Sequence, residues 1–411
     1  MRQSTLISKT RKEAPKDEEA KNAQLLIRAG YVHKEMAGAY TFLPLGWRVL
    51  QNIERIIREE MDKVGGQELH LTALQNKEIW EESNRWSDEV VDVWFKAQLK
   101  AGGEVGFAPT HEEPLTNLLT DHISSYKDLP RYAYQIQTKF RNELRAKSGL
   151  LRGREFRMKD LYSFSKNEEE HEVFYEKMKE AYMNVFTRLG IGDRTFITFA
   201  SGGSFAEFSH EFQMVTEAGE DTIYLDEDKK VAVNDEVYTD EVLEKLSLSK
   251  DSLKEVRASE VGNIFSLGTR FSLPLKLMYK DESGEAKPVV MGSYGIGSSR
   301  LVGAIAEALG DEKGLVWPKE ISPFDIHLVQ LQDEVSAEAE KMYNTLIEKG
   351  YSVLWDDRDK GAGEKFADAD LIGISKRVVV SKRGVENGVY EVVDRVTGET
   401  AEMKEEEVWT I

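Results

Sequence analysis

Apolar and polar positions recur along this chain with two different periods, and the changes between them mark its elements. An apolar stretch leads to a turn at Leu43-Pro44-Leu45-Gly46. Val49, Ile53, Ile56, Ile57 and Met61 then recur near helical spacing as far as Gly65-Gly66. That pattern predicts an amphipathic helix closed by two glycines, followed by a strand, QELHLTAL, at 67–74. From 100 to 225 short strand-like runs (VGFAPT, YAYQIQTKF, GREFRMKDLYSFS, DTIYL) mix with a helical one, EEHEVFYEKMKEAYMNVFTRLG. This is the pattern of an α+β domain around a largely antiparallel sheet. Residues 235–257 are polar, charged and weakly helical, as expected of a surface connection or a trimmed insertion. NIFSLGTRFSLPLKLMYKD and KPVVMGSYGIGSSRLVGAIAEALG then restore strands and a helix.

GLVWPKEISPFD, with Pro318 and Pro323, separates this region from a differently patterned one. Beyond it strands (DIHLVQL, YSVLWDD, RVVVSKR) alternate with helices (SAEAEKMYNTLIEKG, KFADADLIG) before VYEVVDRVTGE. A small α/β domain with a mixed sheet is expected. The predicted organisation is a polar, mobile arm over 1–20, an α+β domain over 21–317 and an α/β domain over 323–411.

Composition narrows the classes. A chain of 411 residues can hold two or three domains, and no apolar run approaches the roughly 20 residues that cross a bilayer. The polar start lacks the apolar segment of a secretory signal, so a soluble, cytoplasmic protein with no membrane partner is expected. With no cysteine, disulfides, thiolate chemistry and Cys-ligated zinc are excluded. The seven histidines are scattered with no HExxH pair, so zinc is not expected, whereas carboxylates with substrate phosphates can hold magnesium.

The net charge of −19 argues against nucleic acid as a partner, but local fields guide ligands more than totals do. Residues 131–160 carry nine cations (Arg131, Lys139, Arg141, Arg145, Lys147, Arg152, Arg154, Arg157, Lys159) against Glu143, Glu155 and Asp160, a local balance of +6. Something anionic belongs there. Read with a period of two, Arg154, Phe156, Met158, Asp160 and Tyr162 share one face of a strand, and Arg141 and Glu143 share a face on the strand before it. Arginine forks suit phosphate or carboxylate oxygens, a carboxylate accepts from an exocyclic amine, and an aromatic ring stacks on a purine. The plain alternative, charges solvating the outside of a sheet, would serve for an isolated RxE.

The arrangement FRxE, loop, RxxxFxxxD resembles motif 2 of the class II aminoacyl-tRNA synthetases. GSYGIGSSRLVGAIAE resembles motif 3, with Arg300 as its arginine, and LPLGWRVLQNIERIIREEMDKVGGQELHLTAL resembles motif 1, the dimer-forming helix and strand. RAGYVHKEMAGAYTFLPLG, FAPTHEEPLT, RNELRAKSGLLRGREFRMKDLYSF, SHEFQMVTEAGEDTIY, EVGNIFSLGTRFS and MGSYGIGSSR resemble the bacterial-type prolyl-tRNA synthetase family, and WDDRDKGAGEKFADADLIGISKRVVV resembles the class IIa anticodon-binding domain. The likeness runs from about residue 26 to 398. It implies a class II antiparallel-sheet catalytic domain at 21–317, an anticodon-binding α/β domain at 323–411, and ATP-dependent attachment of L-proline to tRNA(Pro) by a homodimer.

The same resemblance assigns roles. Arg141 would bridge the α-phosphate and the substrate carboxylate, Glu143 would recognise the adenine amine, Arg152 would reach the γ-phosphate, and Phe156 and Arg300 would sandwich the adenine, with Ser298 touching the nucleotide. Thr110 and Glu112 would hold the secondary ammonium of proline, with Met158, Tyr162, His210, Phe212 and Asn263 around its ring. Glu260 would carry Mg2+ together with the ATP phosphates. Arg145 would reach the acceptor end of the tRNA, and Asp357, Arg358, Lys365 and Phe366 its anticodon.

Two departures stand out: Thr72 takes the place of a motif 1 proline, and Asn263 replaces a histidine common near the substrate. Between motifs 2 and 3, where relatives often hold an editing domain, lies only the 235–257 segment, so cis editing is not expected and correction would fall to a separate trans-editing protein. An idle accessory protein would lose the ATP arginines, and a small-molecule ligase would tend to lack the tRNA-reading domain. Both features are present.

Overall fold

A computed structural model describes every residue except Lys147 and 202–207, together with the side chain of Phe208. Lys147, one of the nine cations counted above, therefore lies outside the described residues. Nine strands form the central sheet, in the order Phe208–Val215, Thr195–Ser201, Val231–Asn234, Asp221–Asp226, Lys254–Gly268, Val290–Ile296, Glu155–Ser165, Arg131–Phe140, Gln67–Glu68. All neighbours run antiparallel except Val231–Asn234 beside Thr195–Ser201 and Gln67–Glu68 beside Arg131–Phe140. Phe208–Val215 also pairs with Lys254–Gly268, so five strands close on themselves around Phe196, Ile223, Leu225, Ala232 and Ala258.

Side-chain alternation decides the faces of this sheet. Tyr134, Ile136, Leu161, Phe212, Ile264 and Tyr294 belong to one large core with three helices, Pro44–Lys63, Glu168–Arg188 and Ser298–Leu309. The opposite parity, with Gln135, Lys139, Asp160 and Tyr162, faces away from those helices. The first helix buries Val49, Leu50, Ile53, Ile56, Ile57 and Met61, as its periodicity requires. A Cβ at its Gly46 would strike the Tyr31 carbonyl, and the chain turns out of the helix through Gly65 at φ +91°.

Several elements differ from the sequence expectation. The 67–74 strand is two pieces: Gln67–Glu68 joins the main sheet, while Leu74–Asn76 joins a separate three-stranded sheet with Phe95–Gln98 and Glu104–Phe107. The motif 2 strand ends at Phe140, so Arg141 and Glu143 stand in the loop beyond it, held by bonds from Arg141 N to Arg154 O and from Glu143 N to Arg141 O. The 235–257 segment is a short helix, Asp240–Lys245, with two 3-10 turns packed on the preceding hairpin through Val233, Leu243 and Leu248, and the long strand already begins at Lys254.

The 314–325 stretch is a packed joint. Leu315, Trp317, Ile321 and Phe324 join the main core, where Trp317 Nε1 donates to Tyr31 OH (3.0 Å) and Tyr31 OH donates to the Ile372 carbonyl (2.7 Å). Beyond it Val353–Asp356, Ile326–Gln330 and Lys376–Val380 run parallel, with Val389–Asp394 and Thr400–Lys404 added antiparallel. The 1–20 arm is not wholly solvated: its first residues dock on this sheet, where Trp355 N donates to Met1 O (2.9 Å) and the Arg2 guanidinium lies 4.3 Å from the Trp355 ring centroid.

Candidate active site

One cleft of about 220 Å³ is lined by Arg141, Glu143, Arg152, Phe156, Glu260 and Arg300. Three separate stretches supply it: the hairpin Arg131–Phe140 and Glu155–Ser165 with its loop, the long strand Lys254–Gly268, and the first turn of Ser298–Leu309. The Arg141 guanidinium stands 5.3 Å from the Phe156 ring centroid and hydrogen-bonds the Pro109 carbonyl at 3.4 Å. Its pKa is lowered, first by burial and next by the positive charge of Arg300. Two cations that repel across a partly buried cleft favour an anion between them.

The carboxylates of the cleft hold these cations in place. Arg152 donates two bonds to Glu143 Oε2 (3.0 and 2.8 Å) and approaches Glu220. Arg300 Nη1 donates to the Glu260 carbonyl (2.9 Å) and its carboxylate (3.2 Å). On the strand paired with that of Glu260 stands Glu211, which sequence reading passed over, opposite Asn263 and two residues from the Gln213 that faces Glu260; burial first, then the charge of Glu260, push its pKa up to about 7. Paired carboxylates that resist joint ionisation fit a cation whose remaining ligands are phosphate oxygens and water, which is how magnesium is usually held. Among the described residues no group of three or more His, Cys, Asp or Glu forms a closed metal cage.

A second cluster adjoins the first through Arg141, which feels the charge of Glu112. Thr110 Oγ1 donates to Glu112 Oε2 (2.6 Å), Ser293 Oγ donates to Glu112 Oε1 (3.4 Å), and Arg85 lies 3.6 Å from Glu112. Tyr162 OH accepts from His111 N (3.0 Å) and donates to Asp160 Oδ2 (3.0 Å). Asp160 pairs with Lys139 (2.8 Å), and Lys139 Nζ donates to His111 Nδ1 (2.6 Å). His111 Nε2 in turn donates to the carbonyl of Thr72, the residue that departs from motif 1 (3.0 Å). Burial, then Lys139, lower the His111 pKa to about 4, so the ring is neutral. Met158 flanks Gly295, and Asn263, opposite both Gly295 and Glu211, carries a buried amide oxygen with no hydrogen-bond partner among the described residues.

Other expected residues lie elsewhere. Phe212 packs in the helix-side core against Tyr182 and Phe186, and His210 Nδ1 is within 2.9 Å of Tyr175 OH on the same helix. Neither faces the cleft: apolar Phe212 and Met214 take the core parity, which leaves Glu211 and Gln213 on the other. Ser298 is buried and donates to Glu54 Oε1 (3.0 Å), the carboxylate that also receives Arg157 Nε (2.6 Å), so it ties three elements together rather than lining the cleft.

Of the residues expected to meet tRNA, Arg145 is exposed on the hairpin loop. Asp357 accepts from Ser4 N and Oγ (2.9 and 2.8 Å). Arg358 is bound to Asp356 and Asp368. Phe366 is half-buried with the Arg377 guanidinium 5.1 Å from its ring centroid. Lys365 is buried and donates to the Gln330 carbonyl (2.6 Å), which turns it away from any phosphate.

Comparison with known proteins identifies both domains. Residues 94–309 match the family model of the tRNA synthetase class II core domain (G, H, P, S and T), and residues 321–411 match that of an anticodon binding domain. The proline–tRNA ligase of Maricaulis maris (strain MCS10) is 39% identical over 435 residues, covering 99% of this chain and 97% of that protein. That of Bacillus cereus (strain G9842) is 34% identical over 562 residues, covering 100% and 99%, so it carries long segments with no counterpart here. A prolyl-tRNA synthetase from Cryptosporidium parvum, solved with L-proline and AMP, shares the fold with a TM-score of 0.75 at 17% identity, over 95% of this chain and 76% of that one. The chain belongs to the prolyl-tRNA synthetases, a family of class II aminoacyl-tRNA ligases.

Proposed function

We propose that this protein joins L-proline to tRNA(Pro) in two steps, with ATP as the energy source. The carboxylate of proline bonds to the α-phosphorus of ATP while the bond to the bridging oxygen breaks, and pyrophosphate leaves with the electron pair. A hydroxyl of the terminal tRNA ribose then attacks the carbonyl of prolyl-adenylate, and AMP leaves. Phosphoryl-type transfer of this kind needs in-line positioning and charge neutralisation more than a protein base.

The single observation that carries this reading is the meeting of Arg141 and Arg300 in one cleft, beside Glu143 and Phe156 and next to the Thr110–Glu112 pair. Arg141 takes the α-phosphate and substrate carboxylate, while Phe156 and Arg300 enclose the adenine by stacking and cation–π attraction. Glu143 receives the adenine amine once Arg152 swings from it toward the γ-phosphate. Thr110, Glu112 and the open Asn263 oxygen receive the secondary ammonium, against Met158 and Tyr162. Magnesium on the phosphates would be held by Glu260 with Glu211 and would neutralise charge there. Arg145 meets the acceptor end, and the C-terminal domain, with Arg358 and Phe366 at its surface, meets the anticodon.

A cytoplasmic homodimer built on the Pro44–Lys63 helix is part of the same proposal. Only the short 235–257 segment, with its helix Asp240–Lys245, occupies the place of an editing domain, and a pocket would reject alanine, two carbons smaller, by only about 1–3 kcal/mol per missing group, leaving correction to another protein. The test is charging of tRNA(Pro) with labelled proline, alanine and threonine. Proline should be transferred fastest, alanine detectably and threonine least; equal transfer of all three, or none, would overturn the assignment.

A further inference from the structure

We infer that residues 1–16 are a working part of the tRNA-binding surface, offering a run of unpaired cations to the phosphate backbone beside the loop that follows the Val353–Asp356 strand. The inference rests on the proposed function and adds to it a segment to which no role has so far been assigned.

The segment is anchored at its start. Val353–Asp356 is an edge strand, and Met1 and Arg2 pair along its outer side, where unpaired backbone groups would otherwise stand open. Gln3 Oε1 lies 2.9 Å from His327 Nε2 with both side chains buried, and Ser4 holds both oxygens of Asp357. Further along, Arg11 N donates to the Arg28 carbonyl (2.8 Å). Between these anchors a cavity of about 470 Å³ is lined by Ser4, Lys9 and Thr10 on one side and by Asp357, Arg358 and Lys360 on the other.

Charge supplies the second observation. The first 16 residues hold Arg2, Lys9, Arg11, Lys12 and Lys16 against Glu13 alone, a balance of +4 in a chain of −19. Arg2 is spent on Glu340 and Asp357, but Lys9, Arg11, Lys12 and Lys16 are exposed, and among the described residues none has an ion-pair partner. The nearby cations of the C-terminal domain are already committed: Arg358 to Asp356 and Asp368, Lys360 to Glu364, Lys365 to a backbone carbonyl. An RNA approaching this loop finds four free cations on the N-terminal segment.

Phosphate contacts of this kind release counterions, carry no sequence information, and set the salt dependence of binding. The test compares the wild-type protein with the triple variant Lys9→Gln, Arg11→Gln, Lys12→Gln, measuring the Kd of tRNA(Pro) and of a non-cognate tRNA between 50 and 200 mM salt. Expected is a loss of about 10- to 100-fold in affinity near 100 mM salt, a log–log salt slope shallower by about 2, and the same loss for both RNAs. A Kd within twofold of wild type and an unchanged slope would overturn the inference, as would a loss confined to the cognate tRNA. Because the three side chains are exposed, an unchanged thermal midpoint separates lost binding from lost fold. Proline-dependent ATP–pyrophosphate exchange by the wild-type protein is scored separately: its absence would refute the synthetase reading, whereas its presence with an unchanged tRNA Kd in the variant would refute only the role of the segment.

Discussion

Lys139 Nζ lies 2.8 Å from Asp160 Oδ1, with both side chains buried directly behind the loop that carries Thr110 and Glu112. Burial opposes charge on both: for Asp160 burial is the largest influence, but Lys139 and the other groups around it together outweigh it and the pKa falls, whereas for Lys139 burial prevails and its pKa falls too. Asp160→Asn leaves a buried ammonium without countercharge. A loss of about 3–5 kcal/mol in urea unfolding is expected, together with a raised proline KM because Tyr162 and His111 lose their anchor. Replacing both partners, by Lys139→Met with Asp160→Leu, should recover more than half of that stability. A single variant as stable as wild type would show that the pair does not organise the loop.

In the proposed complex Glu112 would be the charge offered to the substrate ammonium. Glu112→Gln keeps the shape and the bond from Thr110 but removes the charge, so the KM for proline in pyrophosphate exchange should rise by about 10- to 150-fold, the worth of a hydrogen bond to a charged group of about 1.5–3 kcal/mol. The KM for ATP should stay within about threefold. An equal rise in both would place Glu112 outside the proline pocket.

Phe212 belongs to the core beneath the sheet. Phe212→Ala should cost about 3–5 kcal/mol of stability, measured by denaturant titration, and leave the proline KM of the folded fraction within about twofold. A stable variant with a strongly raised proline KM would return Phe212 to the pocket.

His171 is buried against Tyr175 with both ring nitrogens unpartnered among the described residues, and burial lowers its pKa to about 4. Between pH 6.5 and 4 the unfolded chain binds a proton here that the folded chain does not, so this residue costs stability as pH falls through that window. His171→Leu removes the cost. Relative to wild type the variant should gain about 2 kcal/mol more at pH 5 than at pH 8, read from paired urea titrations. A pH-independent difference would mean that the ring titrates in the native state as it does in the unfolded chain, as an exposed histidine does.

The motif 2 hairpin was legible because period-two alternation and chemistry coincide there: Phe156, Met158, Asp160 and Tyr162 share the open face, while Lys159 and Leu161 turn to the helices. His210 and Phe212, placed around the proline ring by resemblance alone, lie on the core side instead. Parity puts two residues on one face but does not name the face, and here the signal was available in Phe212 and Met214, whose apolar side chains claim the core and leave Glu211 to the cleft. Arg141 and Glu143 were set on a strand that in fact ends one residue before Arg141, an ordinary boundary error with little effect on where they point.

Contacts between distant segments were the least legible. Nothing local to Ser298 announces Glu54, and nothing local to Ser4 announces Asp357, because both pairings depend on how sheets and helices close across hundreds of residues. Lys365 reads as a free cation on a helix until the neighbouring sheet buries it. Thr72, read as a departure, contributes through its backbone carbonyl, which a side-chain pattern does not reveal.

The central claim is that Arg141 and Arg300 grip one nucleotide between them. Proline-dependent ATP–pyrophosphate exchange by the wild-type protein, Arg141→Ala and Arg300→Ala tests it most directly, since the exchange requires adenylate formation and no tRNA. The expected result is robust exchange by the wild type and a loss of about 100-fold or more in Arg141→Ala, with a raised ATP KM in Arg300→Ala. Exchange by Arg141→Ala within tenfold of wild type would contradict the claim.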